Sequence, residues 1–362
     1  MAVPPTWARQ SPSPRADRLY FRPTALLRSE AAQHACAAGA ALRLVGGGIA
    51  FSALHVVDSE RSAWLSVERL GDFAQHAGVE ALQTPRAPFA GIAMDAPCLM
   101  GVLNVTPDSF FDGGRYADTD AAIAHGLALA EAGAEIIDVG GESTRPGATP
   151  IAGEDECKRV LPVVRALAET GLTVSIDTRN PVTMSAAAAA GAAIINDVSA
   201  LTHHPQSAAA AAETGLSVIL MHSLSDPRVM QDNPSYDHVV FDIYDALKAR
   251  LVAAETAGIP RARLAVDPGF GFGKTPGHNL RLLAWAAIFH GLGVPLLMGV
   301  SRKSTIAHIA GDAAERVEAR LPGSLALAQV AFDQGVQMLR VHDVAEAAQA
   351  LAIWRALGEI FD

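Results

Sequence analysis

Two sets of side chains carry the chemistry this sequence offers. Asp138, Asp177, Asn196 and Asp267 form one; Arg145, Lys303, Arg340 and His342 form the other. An ionised carboxylate only accepts hydrogen bonds, so the first set suits a flat heterocycle that displays several N–H groups, with Asn196 able to donate as well. The forked guanidinium and the compact charge of an ammonium suit phosphate oxygens. A single ligand with a heterocyclic head and a phosphorylated arm would use both sets. Arg340 and His342 alternate along the chain, so on a strand they point to one side, which favours a joint role toward an anion.

These residues must be brought together by the elements that carry them. Short apolar runs recur from Cys98 onward: "LMGVLN", "EIIDVG", "TVSID", "AAIIND", "SVILMH", "LAVDPG", "PLLMGVSRK" and "QMLRVHD". Ala-rich stretches with helical spacing separate them, such as Asp120 to Ala132 and Glu154 to Ala168, and "VAEAAQALAIWRALG" closes the series. Alternating strands and helices imply a parallel sheet covered by helices. Eight such units in about 250 residues predict a (β/α)8 TIM barrel in preference to an open doubly wound sheet. Each run ends in polar residues: Asn104, Asp138, Asp177, Asn196 with Asp197, His222, Asp267, Ser301 to Lys303, and Arg340 with His342. In a barrel all of these fall on the C-terminal rim, where active sites are built. A buried acid such as Asp138 needs a partner there.

Three loops add to the expected site. "TPDSFFDGGRY" (106–116) and "GESTRPGATPIAG" (141–153) are long and glycine-rich and read as lids that order over substrate. "DPGFGFGKT" invites a P-loop reading but has Pro268 where the first glycine is required, and Pro276 follows. Its glycines suit a backbone that turns closely over a planar ligand, with Phe270 or Phe272 nearby.

The chain has 362 residues, half of them hydrophobic, with a formal charge of −10 and a pI near 5.6. The acidity argues against a nucleic-acid or anionic-membrane partner. Cys36, Cys98 and Cys157 form neither a zinc pattern nor a disulfide framework and read as free thiols in a reducing compartment. "MAVPPTWARQSPSPRADR" has no apolar core of a secretory signal, and no run suits a membrane helix. A soluble cytoplasmic protein is expected. Residues 1–18 read as a disordered tail, 19–94 as a small N-terminal α/β extension ending in the linker-like "TPRAPFAGIAMDAP", and 95–362 as the barrel. The extension has runs "LRLVGG" and "ALHVV", a helix around Glu30 to Ala38, and no catalytic group.

"GVLNVTPDSFFDGG", "IIDVGGESTRPGA", "SIDT", "IINDVS", "DPGFGFGK", "GVSRKS" and "RVHDV", in this order, resemble the dihydropteroate synthase family of the pterin-binding barrel superfamily. The resemblance covers residues 97–357. It implies a transferase of folate biosynthesis, the target of sulfonamides, which joins (7,8-dihydropterin-6-yl)methyl diphosphate to 4-aminobenzoate by an SN1-like displacement. It further implies that Asp177, Asn196, Asp267 and Lys303 hold the pterin, with Asp138 and Arg340 beside them. Asn104 matches the ligand of a Mg²⁺ cofactor near the diphosphate. Thr144, Arg145, Arg340 and His342 match diphosphate contacts, and Phe110, Pro146, Phe272 and Ser301 the surroundings of 4-aminobenzoate. The catalytic roles fall to Asp177, Lys303, Arg340, His342 and Arg145, in a homodimer joined through outer helices. The segment "SLSDPRVM" after "ILMH" departs from the family's usual Met and Gly, so the loop at 223–229 is expected to differ. Two rivals share the pocket: a pterin-dependent methyltransferase, which has no use for the anion cluster, and a non-catalytic pterin-binding protein, which should have lost charged groups.

Overall fold

The computed structural model describes residues 18–58, 62–105, 114–142, 151–224 and 234–359. The N-terminal unit contains β1 (Tyr20–Leu27), α1 (Ser29–Ala37), β2 (Leu42–Arg43), β3 (Ala50–Val57), β4 (Ser62–Ser66) and α2 (Ala77–Gln83). Its four strands form an antiparallel sheet around β3, with β1 on one side and β2 and β4 on the other.

The barrel follows. Its strands are β5 (Cys98–Asn104), β6 (Ile136–Gly140), β7 (Thr173–Asp177), β8 (Ile194–Asp197), β9 (Ser217–Met221), β10 (Leu264–Asp267), β11 (Leu297–Met298) and β12 (Met338–Val341). The covering helices are α3 (Gly114–Glu131), α4 (Gly153–Glu169), α5 (Pro181–Ala189), α6 (Ser207–Thr214), α7 (Val239–Thr256), α8 (Pro276–Ala284), α9 (Ser304–Ala310), α10 (Leu321–Asp333) and α11 (Val344–Glu359). All neighbouring strands pair in parallel in the order β10-β9-β8-β7-β6-β5-β12-β11. The ends meet: Val266 bridges Leu296 in parallel, and its N–H donates to Pro295 O at 3.0 Å. The sheet is therefore the closed barrel expected from the repeated units.

Strand periodicity splits the core in two. Leu99, Leu103, Ile137, Val139, Ile176 and Ile195 face outward into one large cluster with the helices. Met100, Ile136, Ile194, Ile219, Leu297 and Met338 face inward and form a separate cluster at the base of the barrel. Polar side chains begin above that apolar layer. In β6, Asp138 has the inward parity of Ile136; in β8, Asn196 has that of Ile194.

The stretch read as a linker has another task. Phe89 and Met94 are buried among the inward base residues, and the backbones of Phe89 and Ile92 bond each other reciprocally at 2.9 Å. They form the barrel's floor. Phe89→Ala, which empties a fully buried ring site, is expected to destabilise the fold by about 3–5 kcal/mol. Thermal or urea unfolding checks this; turnover of the folded fraction should not change, because the floor lies at the end opposite the polar rim.

The N-terminal sheet docks on the barrel's outside. Tyr20 stacks on Phe241 of α7 at 4.2 Å and its hydroxyl donates to Asp245 at 2.8 Å. Arg28 bonds Asp333 at 3.1 Å and lies over Trp354 at 3.9 Å. Arg18, assigned to the tail, instead pairs with Asp245; residues 1–17 lie outside the described residues. Among the described residues no helix is long and apolar enough to cross a membrane.

Candidate active site

At the polar rim Arg340 reaches inward from β12 and links two acids. Its Nε donates to Asp138 Oδ2 at 2.6 Å and its Nη2 to Asp177 Oδ2 at 2.8 Å. Asn196 Nδ2 donates to the same Asp138 oxygen at 3.1 Å. Thus Arg340, grouped by sequence with the anion binders, sits among the acceptors, because the shared inward parity of β6, β7 and β12 brings the three side chains together. Burial works against the guanidinium's charge, but Asp138 and Asp177 prevail and hold its pKa above the ordinary value. Asp177 is raised by burial, against the pull of Arg340 and with the help of Asp138.

Asp267 ends β10. Its Oδ1 accepts the Gly269 N–H at 2.7 Å, and burial pushes its pKa up to about 6 despite that bond and nearby Lys303. Lys303, at the start of α9, is pushed down to about 8 by burial and by Arg340, with Asp267 opposing. Its ammonium lies 4.1 Å from the centre of the Phe272 ring. Asn104 ends β5, half-buried. A Cβ added to Gly140 would lie 3.8 Å from Asn104 Oδ1 and 3.7 Å from Asp177 Oδ2, ordinary contact distances, so both oxygens border this glycine.

His342 lies 3.0 Å from Ser301 Oγ through Nδ1, and its N–H donates to the same hydroxyl at 3.2 Å. Expected as a switchable cation, it is held neutral here: burial, then Arg340, Arg302 and Lys303, push its pKa down to about 3. An arriving polyanion would reverse that electrostatic balance. Arg302 adopts a left-handed backbone (φ 57°) and forks onto Asp343, with Nε to Oδ2 at 2.9 Å, tying the chain after β11 to the chain after β12.

Asp197 does not join the site. It has the outward parity of β8 and accepts bonds from Ser199 N at 2.7 Å, Ser199 Oγ at 2.6 Å and Leu201 N at 2.8 Å, so it shapes a turn. Phe110, Thr144, Arg145 and Pro146 lie outside the described residues, as do 106–113 and 143–150 of the two expected lids and 225–229 of the loop after His222.

One oxygen of the cluster lacks a donor. Asp138 Oδ1 is buried and has no hydrogen-bond partner, and Ser175 Oγ, opposite it on β7, has none either. A buried acceptor left unmade costs about 1–3 kcal/mol, so such an atom calls for a donor from a ligand or a trapped water.

Residues 100–342 match the sequence model of the family described as "Pterin binding enzyme". The chain is 46% identical over 261 residues to dihydropteroate synthase of Escherichia coli K12, covering 72% of this chain and 91% of that one. It is 44% identical over 274 residues to dihydropteroate synthase of Neisseria meningitidis serogroup B, covering 74% and 95%. The chain belongs to the dihydropteroate synthase family. Among solved structures, Xanthomonas albilineans dihydropteroate synthase with 4-aminobenzoic acid is similar at a TM-score of 0.69 and 47% identity, covering 74% of this chain and 96% of that one. The same enzyme in complex with 7,8-dihydropteroate gives a TM-score of 0.66 at 42% identity, covering 76% and 98%. Yersinia pestis dihydropteroate synthase in a sulfonamide drug complex gives 0.69 at 43%, covering 74% and 96%.

The match to the pterin-binding family begins at residue 100, beyond the N-terminal unit and its floor. Two features of this dihydropteroate synthase family site escaped the sequence reading. Arg179 forks onto Glu142 at 2.9 and 3.1 Å, both groups buried, just past the ends of β7 and β6. Lys274 is buried against His222. Each had a signal, a charge in the loop after a strand end beside glycine or threonine, two residues on for Glu142 and Arg179 and seven for Lys274, but only register shows that these charges face protein and not solvent.

Proposed function

We propose that the chain condenses (7,8-dihydropterin-6-yl)methyl diphosphate with 4-aminobenzoate to give 7,8-dihydropteroate and diphosphate. The observation that carries this reading is the joined cluster of Asp138, Asn196, Arg340 and Asp177, with one Asp138 oxygen unpartnered, beside Asp267 and Lys303. It offers acceptors to a pterin's N–H edge and cations to an anionic arm. Heterolysis of the C–O bond sends its electron pair to the diphosphate and leaves positive charge that the pterin ring spreads. Asp177 stabilises that charge, while His342 and Arg145 favour the departing anion. The aniline nitrogen then forms the C–N bond and releases its proton, a step that asks for position more than for a strong base.

For Mg²⁺, the donor set present is the half-buried Asn104 side-chain carbonyl beside Gly140, a hard oxygen that suits this ion when phosphate oxygens supply further ligands. Among the described residues no three His, Cys, Asp or Glu side chains group as a metal site. When bound, it would neutralise diphosphate charge. Phe272 and Ser301 serve the 4-aminobenzoate end with Phe110 and Pro146, and the sulfonamide complex of the Yersinia pestis relative supports competition there. A homodimer is supported by exposed apolar side chains on adjacent helices, Val330 of α10 and Ile353 and Leu357 of α11. The free cysteines support a reducing cytoplasm.

The pH profile follows from the site. kcat/KM for the pterin substrate reports ionisations of free enzyme. Asp267, at about 6, must lose its proton to accept through both oxygens; Lys303, at about 8, must keep its proton to meet an anion. Asp177, also raised by burial, must lose its proton too, so a bell is expected whose acid limb falls as Asp177 and Asp267 take up protons and whose alkaline limb lies above about pH 8. Lys303→Arg, charged throughout, should change the alkaline limb by removing the fall near pH 8; an unaltered limb would contradict the assignment. The reaction itself is tested by incubating the purified chain with the pterin diphosphate, Mg²⁺ and 4-aminobenzoate. Equimolar diphosphate and 7,8-dihydropteroate are expected; diphosphate release that does not depend on 4-aminobenzoate would refute the reading.

A further inference from the structure

The motif "DPGFGFGKT" follows β10, and the reaction leaves its lysine without a role. Lys274 is 3% exposed. Its ammonium donates to Phe272 O at 2.8 Å and His222 O at 3.3 Å, and lies 3.2 Å from His222 Nδ1. Among the described residues no carboxylate is bonded to it. Burial pushes its pKa down to about 7, with Asp267 raising it and Lys303 lowering it further. A cation kept in such a place needs acceptors that a neutral side chain would not.

Those acceptors belong to two barrel strands. His222 follows β9, and Phe272 belongs to the loop after β10. In that loop Gly269, Gly271 and Gly273 have φ of 71°, 86° and 62°, a left-handed series with little preference of its own. At Gly269 it also approaches the neighbouring backbone too closely for any side chain. A Cβ on Gly269 would lie 2.0 Å from His222 O, and one on Gly271 2.9 Å from Lys303 Cδ. The Lys303 stem therefore lies across Gly271, and its ammonium over Phe272. Tyr236 adds a bond from its hydroxyl to Gly273 O at 2.9 Å.

We infer that Lys274 is a positioning residue for the pterin end of the site: its ammonium ties the 269–273 loop to the end of β9 and so holds Lys303, which lies across Gly271, where the pterin head enters. The inference rests on the proposed reaction. Lys274 touches no reacting atom, so its loss acts on how well the free site is preorganised. Bound pterin supplies its own contacts to Lys303 and restores the loop, which leaves the chemical step largely intact.

The test is steady-state diphosphate release by the full chain, wild type beside Lys274→Met. KM for the pterin diphosphate is expected to rise about tenfold, the scale of charge-assisted bonds lost, with kcat within about threefold of wild type. Should Lys274→Met not fold, Lys274→Gln keeps one donor arm and decides the matter: a KM rise of about threefold or more supports the tie. Unchanged KM in a folded variant, or a fall in kcat alone, overturns the tie while wild-type turnover keeps the reaction standing. Absence of wild-type turnover removes both.

Discussion

Asp177→Asn is expected to cut turnover by about 100-fold or more while the protein stays folded, the scale of removing one preorganised electrostatic group. The substitution keeps the shape of the side chain and removes its charge. Arg340 keeps its stronger tie to the fully buried Asp138 at 2.6 Å, so the cluster is not left with an unpaired cation. What disappears is the negative charge beside which the pterin becomes cationic. The loss should therefore fall on kcat more than on KM, because the interaction strengthens as the C–O bond breaks. Steady-state assays on protein shown by circular dichroism to be folded would decide this. Near-wild-type kcat would remove Asp177 from the mechanism.

Arg340→Met is expected to be the most damaging single change. It strips the partner from two carboxylates at once, Asp138 with no exposed side-chain surface and Asp177 with 8%. Removing one member of a buried ion pair typically costs about 3–5 kcal/mol, because the remaining charge is left uncompensated. Turnover should fall with it, since the two acids would take up protons and lose their acceptor character. The double variant Asp177→Asn with Arg340→Met has one uncompensated acid fewer and should be less destabilised than the sum of the singles. Urea midpoints for the two singles and the double would show it. An Arg340→Met protein with an unchanged midpoint would mean that the bridge between the acids carries no stability.

The barrel was readable because its signals repeat. Each strand shows an apolar run with a polar end, and each connection shows helical spacing, so errors in any one unit are outvoted by the rest. The convergence of Asp138, Asp177, Asn196, Asp267 and Lys303 follows from that repetition, because like ends of parallel strands meet at one rim. Neighbours within a strand end were harder. Asn196 and Asp197 look alike in sequence, yet one-residue parity sends the first to the pocket and the second into a turn. Arg340 could be assigned to phosphate or to acids on charge alone; only the distances to Asp138 and Asp177 show that it lies between the two acids. The floor was missed for a different reason. Phe89 and Met94 are isolated apolar residues in a Pro- and Gly-rich stretch, with no period to reveal a buried face. β1 was missed because Pro23 interrupts it, although Pro23 pairs with Leu54 in register.

A crystal structure with (7,8-dihydropterin-6-yl)methyl diphosphate and Mg²⁺ tests the central claim most directly. The ring's N–H edge should face Asp177, Asn196 and Asp267 with Lys303 beside it, and the diphosphate should extend toward Asn104 and His342. A pterin bound elsewhere on the molecule, or with that edge turned to solvent, would contradict the account.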